Sequence, residues 1–404
     1  MAIGGFSHQA LMHLGGVVVI THADIDSLGR LSTERWPLIS LYLRIDKERI
    51  DEDYAIRLKN LLRDAADTLG DRFDHEQTEA ILADLERIRA FFQDTGDRYG
   101  RGVALFASSR SGIWRVYEIP RDIESRISIG FEAQIAPLIR LLEQLDTYCT
   151  CIISRDRARI FYGVMAEISE IGDILDEVPG QHEQGGWAQA RYERHIEEHV
   201  RTHFKRVADQ LFQLWNERPY RFLILGGPEE VVQSFLGHLH PYVRDRYIGA
   251  IHLLMVANIN EVREESNAVI ARWRQAETQR LIETLRDEAL SGDRGVVGID
   301  KTIMALQQGQ VLTLLVDESL HVPGAVCSRC HSVQPETNAT GAECVFCSGE
   351  LVHVEDVIPS ITTMAFRQDA AVIYPETPEL QTQLRDLGRI GAVLRFNIPS
   401  EPVA

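Results

Sequence analysis

The chain has 404 residues, with 42 lysines and arginines against 60 aspartates and glutamates, a formal charge of −18. Hydrophobic residues make up 45% and charged residues 25%, ordinary globular proportions that exclude a wholly disordered chain. The acidic total excludes non-specific coating of nucleic acid, which needs a net positive field, while leaving room for a local basic patch on RNA.

At roughly 100–200 residues per domain the length predicts two to four domains. No apolar run approaches the roughly 20 residues needed to span a bilayer; Val17–Ile20 and Val311–Val316 are strand-sized. The first residues carry no Lys or Arg and hence no secretory n-region, so the expectation is a soluble, cytoplasmic protein with no membrane contact.

Residues 1–35 show no strong period and read as a lead-in. Pro37–Ile45 alternates enough to be a strand. Leu58, Leu61, Leu62 and Leu69 then mark one helical face, and Ile81, Leu85, Ile88 and Phe92 a second. Val103–Ala107 and Trp114–Ile119 form a predicted hairpin, and Phe131–Leu145 a helix. A second unit opens with strands Tyr148–Ser154 and Arg159–Met165. Pro179, Gly180, Gly185 and Gly186 make Glu177–Gly186 a loop, and a long helix follows over Gln189–Trp215. Phe222–Gly226 is a short strand, Pro228–Leu239 a helix, His252–Val256 a strand and Glu261–Leu290 a helix long enough to carry a domain junction. The last unit reads helix Lys301–Gln308, stopped by Gly309, strand Val311–Val316, a cysteine insert, helix Pro378–Leu387 and strand Ala392–Phe396. Alternating strands and helices predict α/β layers. The expected architecture is three domains: an α+β domain over residues 1–140, a mixed α/β middle domain over 141–275, and an α/β domain with a zinc-knuckle insert over 276–404.

Two C-x2-C pairs, Cys327/Cys330 and Cys344/Cys347, are separated by thirteen residues. Each pair can close a knuckle that offers two thiolates, and two knuckles complete the tetrahedron of soft ligands that zinc prefers. Four thiolates leave no open position, so the zinc is expected to be structural. A duplicated pair is unlike a single redox C-x-x-C. His321 and His331 nearby read as surface residues, and Cys149 and Cys151, on one face of a strand, as buried thiols.

The string Gln184-Gly185-Gly186-Trp187-Ala188-Gln189 is the most distinctive in the chain. Its glycines permit positive φ and close approach of another molecule. The helix behind it carries Arg191, Arg194, Arg201, Lys205 and Arg206 against four acidic residues, which leaves a solvated amphipathic helix and an RNA-facing one both open. His195, His199 and His203 recur at i, i+4, i+8 and could share a metal, although the H-E-x-x-H pattern is not met. Gly226-Gly227-Pro228 lacks the pattern of a phosphate loop.

Taken together, these features resemble the archaeal/eukaryotic class-I peptide-chain release factors and their paralogue Pelota, especially the bacterial branch that includes Balon-like ribosome-associated factors. The carrying residues are Ile299-Asp300-Lys301 with Met304–Gly309 and Val311–Val316, the four cysteines, and Leu387–Phe396. The resemblance covers residues 140–404 well and residues 1–140 in outline. In release factors the loop reads Gly-Gly-Gln, and its Gln positions the water that hydrolyses peptidyl-tRNA. Here Trp187 stands in that place, with one N–H donor and no amide. The codon-reading Asn-Ile-Lys-Ser string is absent.

The resemblance therefore implies a non-hydrolytic factor with no catalytic residue and no small-molecule substrate. It would occupy the ribosomal A site as a hibernation or rescue factor. Gly185, Gly186, Trp187 and Gln189 would reach rRNA at the peptidyl-transferase centre, with Arg191 and Arg194 on phosphates. The zinc-bearing domain would meet the ribosome or a translational GTPase such as elongation factor Tu. Two alternatives stay open: a peptidyl-tRNA hydrolase in which Gln184 or Gln189 replaces the missing Gln, and a non-ribosomal protein-interaction module.

Overall fold

A computed structural model describes residues 13–14, 17–18, 20, 22–45, 54–70, 72–95, 99–119, 123–142, 146–164, 167–176, 187–335 and 343–396. They form a mixed α/β, multi-domain fold of two compact units. One comprises residues 1–140, 284–375 and 381–404; the other comprises residues 141–283 with 376–380.

In the first unit, strands β1 (His13–Leu14) and β2 (Val17–Val18) pair, and helix α1 covers His22–Gly29. Strand β3 (Leu38–Arg44) is followed by helices α2 (Tyr54–Asp67) and α3 (His75–Thr95), strands β4 (Gly102–Ser108), β5 (Ile113–Ile119) and β6 (Arg126–Gly130), and helix α4 (Ala136–Leu142). The strands make an antiparallel sheet in the order β5-β4-β3-β6. Period-two alternation turns Ile39, Leu41 and Leu43 of β3 to one face, where they meet Leu58 and Leu62 of α2 and Ile81, Leu85, Ile88 and Phe92 of α3. Two expectations change here. The lead-in contains α1, with Ile25 and Leu28 fully buried. The helix expected over Phe131–Leu145 starts only at Ala136, because residues 131–133 hydrogen-bond residues 31–33: the Thr33 N–H donates to Phe131 O (2.7 Å) and the Ala133 N–H to Leu31 O (3.1 Å); residues 143–145 of that expectation lie outside the described residues.

The second unit holds strands β7 (Thr147–Ile153), β8 (Arg157–Val164) and β9 (Glu167–Leu175), helix α5 (Trp187–Glu217), strand β10 (Phe222–Gly226), helices α6 (Glu229–Leu236) and α7 (Pro241–Arg244), strand β11 (Tyr247–Ile251) and the start of helix α8 (Ile259–Ser291). The sheet order is β11-β10-β7-β8-β9, with β7, β10 and β11 parallel and β8 and β9 antiparallel to their neighbours. Parallel strands covered on both faces read as continuous apolar runs, and β7 and β10 do so. Cys149, Cys151, Leu223 and Leu225 pack against Phe204, Val207 and Leu211 of α5. Tyr148, Phe222 and Ile224 pack on the opposite face with Val269 and Ile270 of α8. Gly163 is required: a Cβ there would lie 2.2 Å from the Tyr148 ring.

Strand β9 escaped sequence reading because its outward side chains are charged. They are engaged in cross-strand ion pairs, Arg157–Asp173 at 2.6 Å and Arg159–Glu170 at 2.7 Å. The expected strand His252–Val256 is instead the loop after β11. Leu253 and Met255 pack inward, whereas Leu254 and Val256 are 77% and 82% exposed. That alternation imitates a strand, but the Arg159 guanidinium, not a neighbouring strand, takes the Met255 and Ala257 carbonyls (2.8 and 2.7 Å).

Within the first unit, the C-terminal residues supply strand β12 (Gly295–Val297), helix α9 (Ile299–Gln307), strands β13 (Val311–Val316), β14 (Gly324–Cys327), β15 (Val333–Pro335) and β16 (Leu351–Val354), helix α10 (Ile358–Arg367), strand β17 (Ala371–Ile373), helix α11 (Pro378–Asp386) and strand β18 (Ile390–Leu394). The main sheet runs β12-β18-β13-β17, and a small antiparallel sheet, β15-β14-β16, carries the cysteines. Gly309 ends α9 at φ +67°, and the Gln310 N–H returns to Ala305 O, the expected left-handed stop. Among the described residues no helix is long and apolar enough to cross a membrane.

Candidate functional site

The cysteines sit on two turns with the same backbone hydrogen bonds. In the first, the His331 N–H donates to Cys327 O (3.0 Å) and the Cys327 N–H to Ser332 O (3.0 Å). In the second, the Ser348 N–H donates to Cys344 O (2.9 Å) and the Cys344 N–H to Gly349 O (2.8 Å). Both turns carry a non-glycine residue with left-handed backbone at the equivalent place, His331 at φ +59° and Ser348 at φ +54°. Two like turns face each other, so the four sulfurs converge.

Those sulfurs lie within 4.8 Å of one another, with Cys327 Sγ 3.4 Å from Cys347 Sγ and Cys330 Sγ 3.5 Å from Cys344 Sγ. A disulfide needs about 2.05 Å, so these are four thiols. Zn–S bonds of about 2.3 Å in a tetrahedron set sulfur–sulfur edges near 3.8 Å, close to what is found. Backbone N–H groups of Arg329 and Cys330 point at Cys327 Sγ, and that of Phe346 at Cys344 Sγ, each at 3.4 Å. Such donors stabilise thiolate. At Cys344 burial opposes ionisation, but hydrogen bonds from Ser332 and the backbone outweigh it and lower the thiol to about 6. Gly349 completes the cradle: a Cβ there would lie 3.0 Å from Cys327 Sγ and 3.2 Å from Cys347 Sγ. The donor set can hold a metal ion, and its chemistry suits a soft, four-coordinate one.

Neither nearby histidine is a ligand. His321 is exposed and bonds Asp356 (2.9 Å). His331 corrects the surface reading: its side chain is 22% exposed, and Nδ1 meets Glu132 at 3.0 Å, where Arg367 also binds.

In the middle unit, Gly185 and Gly186 lie outside the described residues. Trp187 is the first residue of α5, and Gln189, Arg191 and Arg194 fall in its first two turns; their side chains are also outside the description. Strand β9, which leads toward that segment, is described. Asp176 follows it, with its N–H on Asp156 O (2.8 Å) and its carboxylate on His203 Nδ1 (2.7 Å) and the Arg206 guanidinium. The His203 hydrogen bond, opposed by burial, holds the Asp176 carboxyl below its usual range. His203 therefore serves the end of β9 from a fully buried position, while the His195 and His199 rings lie 4.5 Å apart, tilted by 59°. Among the described residues only the four cysteines form a metal-capable group. At Gly227 a Cβ would strike Ile153 O at 2.3 Å, so that glycine lets its turn close over β7 and needs no phosphate to explain it. Long-range pairs such as Asp176–His203 and Glu132–Arg367 leave no spacing signal in the sequence.

Residues 134–277 match the family described as bacterial archaeo-eukaryotic release factor family 10. Peptide chain release factor subunit 1 of Thermococcus onnurineus is 25% identical over 79% of this chain and 84% of its own. The corresponding protein of Methanobrevibacter smithii is 23% identical over 89% and 93%. A solved structure of ribosome-bound archaeal Pelota with ABCE1 is 13% identical, with a TM-score of 0.41 and coverage of 95% and 96%. The chain is thus similar to the peptide chain release factors over most of its length, with the family match itself confined to residues 134–277.

Proposed function

We propose that this protein is a ribosome-binding translation factor that occupies the A site without hydrolysing peptidyl-tRNA, as a hibernation or rescue factor in the cytoplasm. The observation that carries the reading is Trp187, at the first position of α5, in the segment that matches the bacterial release-factor family. The sequence relatives are peptide chain release factors, and by the resemblance Trp187 stands where their Gly-Gly-Gln loop would carry its amide. An indole offers one N–H and no acceptor, so it cannot orient a hydrolytic water as an amide does. Gly185, Gly186, Trp187 and Gln189 would then contact rRNA of the peptidyl-transferase centre, with Arg191 and Arg194 on phosphate.

Three functional parts, residues 1–140, 141–275 and 276–404, follow the sequence division. Zn2+ held by Cys327, Cys330, Cys344 and Cys347 would close the insert and supply rigidity only, since four thiolates saturate it. The C-terminal part would meet a translational GTPase such as elongation factor Tu.

Release of labelled peptide from stalled ribosomes tests the non-hydrolytic reading. The expected result is no release above the spontaneous rate at saturating protein, with the protein bound. Release that disappears in Gln184→Ala or Gln189→Ala would establish the hydrolase alternative instead.

A further inference from the structure

The middle unit carries an aromatic cluster at the end of its sheet remote from the C-terminal end of β9. Strands β10 and β11 begin there, at Phe222 and Tyr247, whereas β9 delivers Asp176 to the opposite edge. Phe212 and Trp215, near the C-terminal end of α5, lie beside His240 and Tyr242, at the start of α7. All four rings are nearly parallel. Phe212 stacks on His240 at 4.0 Å and 21°, Trp215 on Tyr242 at 5.8 Å and 17°, and His240 on Tyr242 at 5.3 Å and 28°. The Arg246 guanidinium lies over Trp215 at 4.6 Å.

Three facts argue that this ladder meets something planar and anionic. Tyr242 is 58% exposed although its ring keeps the plane of the stack, so a further planar ring can extend the series. Trp215 Nε1 and His240 Nδ1 are buried without a hydrogen-bond partner among the described residues, so polar satisfaction within the fold does not set the ring positions. Arg218, Arg244 and Arg246 have no carboxylate partner among the described residues, in a chain whose formal charge is −18. Buried Asp146 is taken by Arg221 and Arg274, while Glu217, which accepts from Gln213 (2.8 Å), and exposed Asp245, between Arg244 and Arg246, keep their charges, so the three arginines outnumber the two free carboxylates beside them by one.

We infer that the ladder formed by Phe212, Trp215, His240 and Tyr242, with Arg218, Arg244 and Arg246 around it, is a stacking platform for unpaired bases of single-stranded RNA. Stacking supplies affinity without sequence preference, because every base has a π face, and the arginines take the phosphates. The platform is distinct from the Gly-Gly segment: that segment precedes α5 in sequence, whereas the platform lies near the C-terminal end of α5, a helix of 31 residues and about 46 Å. The inference deepens the proposed function and rests on it only for which RNA is met.

Fluorescence anisotropy with a labelled, unstructured single-stranded RNA tests it on the whole protein, with ribosome co-sedimentation run in parallel. Tyr242→Ala should weaken RNA binding about five- to a hundredfold, the range for loss of one stacked base, at an unchanged melting temperature. Tyr242→Phe should bind as the parent does, since the ring and not the hydroxyl stacks. Replacing Arg218 and Arg244 together by Ala should lower the slope of log affinity against log salt by about 1.4. Double-stranded RNA of the same sequence should bind more weakly than the single strand. Equal affinity of parent and Tyr242→Ala, or no RNA binding by the parent, would overturn the platform. So would loss of ribosome pelleting in Tyr242→Ala by a parent that binds no RNA, since the surface would then take a protein. Intact RNA binding without ribosome pelleting would uphold the platform and contradict the ribosomal reading.

Discussion

Gly349 shows how small a margin the cysteine centre has. A methyl group there would sit 2.9 Å from Arg329 Cβ and 3.0 Å from Cys327 Sγ, so backbone or sulfur must shift. Gly349→Ala should therefore weaken zinc binding about ten- to a hundredfold, the usual effect of disturbing what surrounds a metal's ligands. Competition against a chromophoric chelator reads this directly, and unchanged affinity would contradict the cradle. Trp187 poses the opposite question, since the proposed function places its value outside the fold. Trp187→Ala should weaken ribosome binding about ten- to a hundredfold while the melting temperature stays put. A large thermal loss with ribosome affinity intact would mean that the indole serves the fold. The cysteines were legible in sequence because a knuckle is local: two residues of spacing define it. Gly349 and His331 were not, because crowding by Arg329 and the ion pair with Glu132 exist only once distant segments meet.

Strands and helices with apolar patterns were legible for the same local reason, as β10 and β13 show. The misses share one physics. In β9 the charged face is satisfied by arginines of β8, and in residues 252–256 an alternating pattern is satisfied by Arg159 and not by a ladder. Asp317, just beyond β13, illustrates the energetics at this scale. Its side chain is 1% exposed and bonded by Arg385 (2.8 Å) and Arg389 (3.0 Å), which tie α11 and the approach to β18 onto the sheet. Burial disfavours its charge, but the Arg385 hydrogen bond, the Ser319 N–H and Arg389 outweigh that and hold the carboxyl well below the usual range. A depressed native value means that the contribution is complete above the unfolded value of about 3.9 and is lost as pH falls toward the native one. Asp317→Asn should thus cost about 2–3 kcal/mol at neutral pH and flatten the acid limb of the stability curve. Denaturant melts from pH 7 down to pH 3 check both. An acid limb as steep as the parent's would assign the loss to other carboxylates.

Across the molecule, the resemblance to release factors was legible because it rests on motifs distributed through the last two-thirds of the chain, and a family match falls on residues 134–277. The grouping of residues 1–140 with residues 284–375 in one compact unit was not, since contacts such as Arg367 with Glu132 and with the Gly29 carbonyl join segments hundreds of positions apart. Metal removal should act locally. With the proposed zinc in place, folding of the insert would be coupled to it, so chelation should open the cysteine insert to protease while the second unit's melting transition persists. Simultaneous loss of both would contradict a purely structural, local zinc. The central claim is occupancy of the ribosome, and co-sedimentation with purified ribosomes at physiological salt tests it most directly. The account predicts that the parent protein pellets with whole ribosomes, saturably, and that Trp187→Ala shifts to the supernatant. Parent protein that remains in the supernatant at every ribosome concentration would contradict it.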